Sequence, residues 1–366
     1  MGLYSDCEPF RLFDDRPLPE RLATPAELHV GPGELAGFKA LSSHVACPDM
    51  QHRSYENQTS WRRVNNALPA PIRISLPHPA QEEWHVYDRF RIHIDRWRAV
   101  NPRATAVMVH GAGGNGRMLG PYAKILTDIG LNVVAPDLPG YGLTVQDEKS
   151  TIRYDDWRGT VTSMMRSEAE LGLPIVLFGA SMGGMLAYDA AALTRLPIGL
   201  VATCFLEPKD DRVRRATVRW QWVARFVEPL LRTFSGITDS LPVPMKLASN
   251  MKAITNVPEL TEAIVDDPAA GGNWMPAGFL RTFLAADPVV PPEQFDVCPV
   301  LLVHPAKDKW TDVLLSHAFL KRLQSVDASY KLLENGGHFP VESEAIAQFQ
   351  CAIFDFTDKL LGQWHR

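Results

Sequence analysis

Hydrophobic and polar positions change rhythm along this chain, and the changes mark out its elements. Residues 84–100, WHVYDRFRIHIDRWRAV, carry two short alternating stretches, the spacing of an antiparallel hairpin. Beyond them the apolar positions gather into short, nearly continuous runs. These are ATAVMVHG (104–111), LNVVAPD (131–137), PIVLFGAS (174–181), IGLVATCF (198–205), VLLVHPAKD (300–308) and YKLLENGGH (330–338). Runs that are apolar on both faces predict parallel strands covered by helices. Helical stretches fill the gaps: GRMLGPYAKILTDIG, TIRYDDWRGTVTSMMRSEAELG, GGMLAYDAAALTRL, TDVLLSHAFLKRLQ and SEAIAQFQCAIFDFTDKLLG. Such alternation with right-handed crossovers predicts an α/β fold with a doubly wound, mostly parallel sheet.

Two segments break this rhythm. Residues 209–297 contain no clear parallel strand but are apolar and helical in pattern, as in VRWQWVARFVEPLLRTF and MPAGFLRTFL. They read as a helical cap inserted into a core made of 81–208 and 298–366. Residues 1–80 are irregular, polar and proline-rich, and form an N-terminal extension, either an arm or a strap. Its aromatic residues Phe10, Phe13, Phe38, Tyr55 and Trp61 argue that part of it packs.

Composition narrows the function classes. The 366 residues are 46% hydrophobic with a net charge of -5, enough for a large core and a poor match to nucleic acid. The five cysteines are scattered and include no CxxC pair, which disfavours a zinc site or disulfide framework and fits reduced thiols. The N-terminus lacks the apolar stretch of a signal peptide, and no run approaches the ~18 apolar residues of a membrane helix. The expectation is a cytoplasmic protein with no transmembrane segment and no nucleic-acid partner; a homodimer is left open.

Ligands of open parallel sheets bind beyond the C-terminal strand ends. Ser181, in GASMGG, stands there between a strand and a helix. G-x-S-x-G in that context is the nucleophile elbow, whose glycines make room for a strained serine; a bare glycine turn that packs or holds phosphate is the competing reading. His338, in ENGGHFP, follows the last strand on a glycine loop and can serve as general base, or simply sit at the surface or cap a helix. Asp308 follows the preceding strand and can orient that histidine, or cap a helix; Asp312 and Glu207 are its rivals. Backbone N–H groups of Met182 and of Ala112, with Gly113 as rival, can form an oxyanion hole. His110 orders their loop, and Asp137 reads as structural. The loop sequence GAGGNG matches neither common nucleotide-binding pattern. Trp220, Trp222, Phe226, Trp274 and Phe279 either line an acyl pocket or form the cap's own core.

In this order, MVHGAGG, VVAPDLPGYG, LFGASMGG, HPAKD and NGGHFP resemble the α/β-hydrolase superfamily over about residues 84–366. GASMGG with a helical cap is similar to its monoacylglycerol lipase, lysophospholipase and carboxylesterase branch. The resemblance implies Ser181 as nucleophile, His338 as base, Asp308 as orienting acid, and Ala112 and Met182 as oxyanion donors. Ala180 stands where many members carry histidine, and Pro305 where many carry glycine. The expected function is hydrolysis of a small-molecule carboxylic ester, apolar or aromatic in its acyl part, through an acyl-enzyme and with no metal or organic cofactor. The same triad acting on a lactone, amide, thioester or C–C bond is the alternative. A binding module without catalysis is a third.

Overall fold

A computed structural model of the chain describes residues 11–12, 53–74, 80–146, 151–217 and 238–364. In chain order the strands are β1 (Arg11–Leu12), β2 (Gln81–Tyr87), β3 (Phe90–Trp97), β4 (Ala104–Val109), β5 (Leu131–Pro136), β6 (Val145–Gln146), β7 (Ile175–Gly179), β8 (Pro197–Ala202), β9 (Pro242–Pro244), β10 (Trp274–Pro276), β11 (Val300–Pro305) and β12 (Ala328–Leu333). The described helices are α1 (Thr59–Ala67), α2 (Gly120–Asp128), α3 (Tyr154–Ala169), α4 (Met182–Thr194), α5 (Asp211–Thr217), α6 (Met245–Ala248), α7 (Pro258–Asp266), α8 (Ala277–Leu284), α9 (Val313–Leu320) and α10 (Ser343–Trp364).

The main sheet runs β1-β12-β11-β8-β7-β4-β5-β3-β2, with β6 beside β3. Its centre, from β12 to β5, is parallel, and β2, β3 and β1 are antiparallel additions at the edges. This is a mostly parallel α/β sheet, as the apolar runs imply. Residues of β4 are buried at every position, because both faces carry helices.

The period of two along a strand divides the core. Val107, Val109, Ile175, Leu177 and Leu200 share one cluster with Val161 and Met164 of α3 and Met185 of α4. Their neighbours Ala106, Met108, Val176, Phe178 and Val201 share the other, with Tyr122 of α2 and Phe349 and Ile353 of α10. Helix α10 reaches that face through Ala345, Phe349, Ala352, Ile353, Phe356 and Leu360, spaced to form one stripe.

The inserted segment is helical where it is described, apart from a two-stranded ribbon of β9 and β10 that the pattern did not suggest. Its prolines, Pro242, Pro244 and Pro276, end the strands rather than fill them. VRWQWVARFVEPLLRTF falls outside the described residues. Strand β12 departs from the fully buried expectation: all but Leu333 of its residues are half-exposed, because it lies next to the sheet edge.

Part of the N-terminal extension packs against both units. Trp61 and Val64 of α1 are buried, and Arg63 pairs with Asp266 of α7 at 2.7 Å. Tyr55 is buried against the core and donates a hydrogen bond to Asp137 at 2.9 Å. Cys204 and Cys298 are free thiols, but Cys351 is disulfide-bonded. That corrects the expectation of wholly reduced thiols, which rested on the absence of a CxxC pair. Among the described residues no helix is long and apolar enough to cross a membrane.

Candidate active site

Ser181 occupies the turn from β7 into α4 with φ 55° and ψ −128°, a backbone conformation that side-chain-bearing residues rarely adopt. A methyl group at Gly179 would overlap the backbone of Gly183 and Gly184, and one at Gly183 would overlap the Val109 carbonyl. These contacts explain both glycines of the motif. The turn is anchored from β8: the Ser181 N–H donates to Thr203 Oγ1 at 2.8 Å.

His338 Nε2 lies 2.7 Å from Ser181 Oγ, and its Nδ1 lies 2.8 Å from Asp308 Oδ2. A carboxylate can only accept, so Nδ1 carries the proton and Nε2 faces the serine hydroxyl as an acceptor. Asp308 is saturated from its own loop. Trp310 N donates to Oδ1 at 2.7 Å, Thr311 N to Oδ1 at 3.0 Å, and Thr311 Oγ1 to Oδ2 at 2.7 Å. Burial pushes the Asp308 carboxyl up, but His338 and the Thr311 hydrogen bonds together hold it down at about 2. The Trp310 ring covers the His338 ring, with centroids 4.7 Å apart. The rival acids are used elsewhere. Asp312 caps α9 by accepting from Leu314 N at 2.8 Å, and Glu207 pairs with Arg322 at 2.8 Å.

The loop after β4 lies against the elbow. A methyl group on Gly111 would stand 2.9 Å from the Ala180 carbonyl and 3.0 Å from Met182 N. Met182 opens α4, so its N–H has no acceptor within the helix. Ala112 lines the cavity beside Ser181. Gly113 has φ 80° and sits under the Met251 side chain. His110 accepts from Leu138 N at Nε2 over 3.0 Å, so Nδ1 is the donor to the Gly111 carbonyl at 2.8 Å. Burial lowers its pKa, consistent with a neutral ring that holds the loop.

Asp137 ties this loop to the rest of the core. It accepts from Gly116 N at 2.7 Å, Leu143 N at 2.8 Å, Tyr55 Oη at 2.9 Å and His93 Nδ1 at 3.0 Å. Behind it, Glu82, His93 and Asp95 bring ligand-type atoms within 4.8 Å of one another. They do not suit a metal ion. Arg117 already bridges Asp95 and Glu82 at 2.6 Å each. Burial opposes a charge on His93, but Asp137 and Glu82 raise it to about 10, and a protonated ring cannot ligate.

An apolar cavity of about 70 Å³ opens at Ser181. Neither Trp274 nor Phe279, two of the aromatic residues read as pocket wall or cap core, lines it. Trp274 is 56% exposed, because the alternation of β10 turns Met275 inward instead. Phe279 is wholly buried against Trp157, ring centroids 4.5 Å apart. Trp220, Trp222 and Phe226 lie outside the described residues. From the insertion, Ile254 reaches the cavity, and its carbonyl accepts from Phe339 N at 2.8 Å, which ties that segment to the His338 loop. Sequence reading missed Thr203, Trp310 and Thr311. A polar residue just past the end of a buried strand, in VATCF, is the signal that could have found Thr203.

A nucleophile elbow on a mostly parallel sheet, faced by a histidine–aspartate pair, defines an α/β-hydrolase. The family model described as serine aminopeptidase, S33, matches residues 100–343, and the chain belongs to that family of hydrolases. It is 22% identical to phospholipase YtpA of Bacillus subtilis (strain 168) over 244 residues, covering 66% of this chain and 90% of the relative. A soluble variant of monoglyceride lipase from Saccharomyces cerevisiae, solved with a substrate analog, shares the fold with a TM-score of 0.63 and 18% identity, over 80% of this chain and 98% of that one. A monoacylglycerol lipase from Paleococcus ferrophilus does so with a TM-score of 0.58 and 21% identity, over 74% and 98%.

Proposed function

We propose that this chain is a serine esterase that cleaves small-molecule carboxylic esters with an apolar acyl part. The observation that carries the reading is the unbroken chain from Ser181 Oγ through His338 to Asp308, opening onto an apolar cavity. Ser181 Oγ attacks the carbonyl carbon while His338 Nε2 takes its proton. The oxyanion is held by the N–H groups of Met182 and Ala112 at the positive end of α4. The C–O bond then breaks, and His338 returns the proton to the leaving alcohol. Water, deprotonated by the same ring, releases the acid and restores Ser181. Asp308 fixes the tautomer and balances the imidazolium charge. Lipase and phospholipase names among the relatives support an ester substrate.

An aminopeptidase reading follows from the family's description but finds less support. A peptide's α-ammonium needs an acidic partner, and the described residues that line the cavity include no Asp or Glu. The direct test is a fluorophosphonate probe. It labels the native protein at Ser181 and leaves Ser181→Ala unlabelled, and p-nitrophenyl esters turn over while aminoacyl anilides do not. A protein untouched at Ser181 would end the proposal.

A further inference from the structure

The cavity at Ser181 runs down into the core, with Ile254 of the insertion also on its wall. Its deep walls are Met108, Phe178, Val201 and Val303, one residue from each of four neighbouring strands, with Tyr122 of α2 and Phe349 of α10 opposite. All six are buried, so this end is closed. Strand parity places Ala180 here too: Val176, Phe178 and Ala180 point to the same face, where Ala180 packs against that cluster. A small side chain at position 180, where many members of the superfamily carry histidine, leaves the entrance open beside the nucleophile.

We propose that this blind cavity is the acyl site, and that it selects short-chain acyl esters of roughly three to four carbons. The inference rests on the esterase reading above. Size sets the limit: at roughly 25–30 Å³ for each packed non-hydrogen atom, about 70 Å³ holds about two to three carbons beyond the carbonyl. Chemistry and topology choose the acyl part over the alcohol. The acyl chain stays bonded to Ser181 through both steps, whereas the alcohol must leave before water attacks. A closed apolar end suits the part that stays. Each methylene that enters it should raise kcat/KM by about fourfold until the space is full.

The test varies one end of the ester at a time. With the full chain and p-nitrophenyl esters from acetate to decanoate, kcat/KM rises to a maximum at propanoate or butanoate and falls at least tenfold by decanoate. Acetate esters of alcohols of increasing length give a profile without that maximum. Ala180→Leu puts a branched side chain into the entrance and lowers the butanoate-to-acetate ratio about tenfold. Phe349→Leu shortens the opposite wall and moves the maximum to longer chains. An active wild type whose rate climbs through decanoate, or variants that leave the maximum in place, would overturn the acyl site while leaving the esterase reading intact. Absence of ester turnover together with absence of fluorophosphonate labelling overturns both.

Discussion

Two histidine–aspartate pairs lie close to the same end of the sheet, and their first contacts are nearly the same. His338 Nδ1 meets Asp308 Oδ2 at 2.8 Å, and His93 Nδ1 meets Asp137 Oδ2 at 3.0 Å. The second ring nitrogen separates them. His338 Nε2 faces the Ser181 hydroxyl at 2.7 Å, while His93 Nε2 faces the Glu82 carboxylate at 3.4 Å. A hydroxyl brings no second charge to His338 Nε2. A second carboxylate holds His93 in its charged form, and Arg117, Tyr55 and Asp95 seal it into the core. The histidine–aspartate contact therefore does not distinguish the two pairs; what faces the other nitrogen does.

The strongest way to break this contrast is to remove one member of each set. Ser181→Ala should abolish ester turnover with the fold intact by circular dichroism. Asp308→Asn should lower kcat by on the order of 10⁴-fold with a small change in Tm, since the carboxylate sets the tautomer. Asp137→Asn should act in the opposite manner, costing about 3–5 kcal/mol of stability by leaving buried cations short of a partner. If Asp137→Asn spares Tm, or Asp308→Asn spares turnover, the two pairs have been assigned the wrong way round.

Titration sharpens the contrast at the next level. The folded pKa of His93, about 10, lies above its ordinary value of 6.5. Its contribution to stability is therefore complete below about 6.5 and is lost as pH rises through about 10. A plot of Tm against pH should fall across that window, and His93→Gln should flatten it. For Asp308 the sign reverses. Its folded pKa of about 2 lies below the ordinary 3.8, so that contribution is present above 3.8 and is lost as pH falls through 2. The smallest expected effect is at Thr203. Thr203→Val removes the acceptor of the Ser181 N–H and should cost about 1–2 kcal/mol, read in denaturant unfolding.

Much of the sheet was legible because buried parallel strands have no polar face. The runs at 104–109, 131–136, 175–179 and 300–305 announce themselves and end where the site begins. Ser181 was legible because its turn demands glycine at fixed offsets, and Asp308 and His338 because chain order brings both to the same edge. Thr203, Trp310 and Tyr55 were not. Each acts through a contact with a residue distant along the chain or through a ring stack, and neither leaves a period or a spacing. Trp274 and Phe279, left open between pocket wall and core, could not be placed for the same reason. Hydrophobicity says that Phe279 is buried but not that Trp157 rather than a substrate covers it. The reduced-thiol expectation failed at Cys351 on similar grounds, and with it goes the compositional support for a cytoplasmic location.

Sequence alone, then, determined the layered α/β fold, the elbow and the identities of the groups at the strand ends, because those depend on local sterics and on a two-residue period. Tertiary structure decided the rest. It selected which acid faces His338, sealed the second histidine pair as a support, and opened a cavity beside Ala180 on the α10 face. Those outcomes depend on how side chains from distant segments fill or leave the same space, and no local pattern records that.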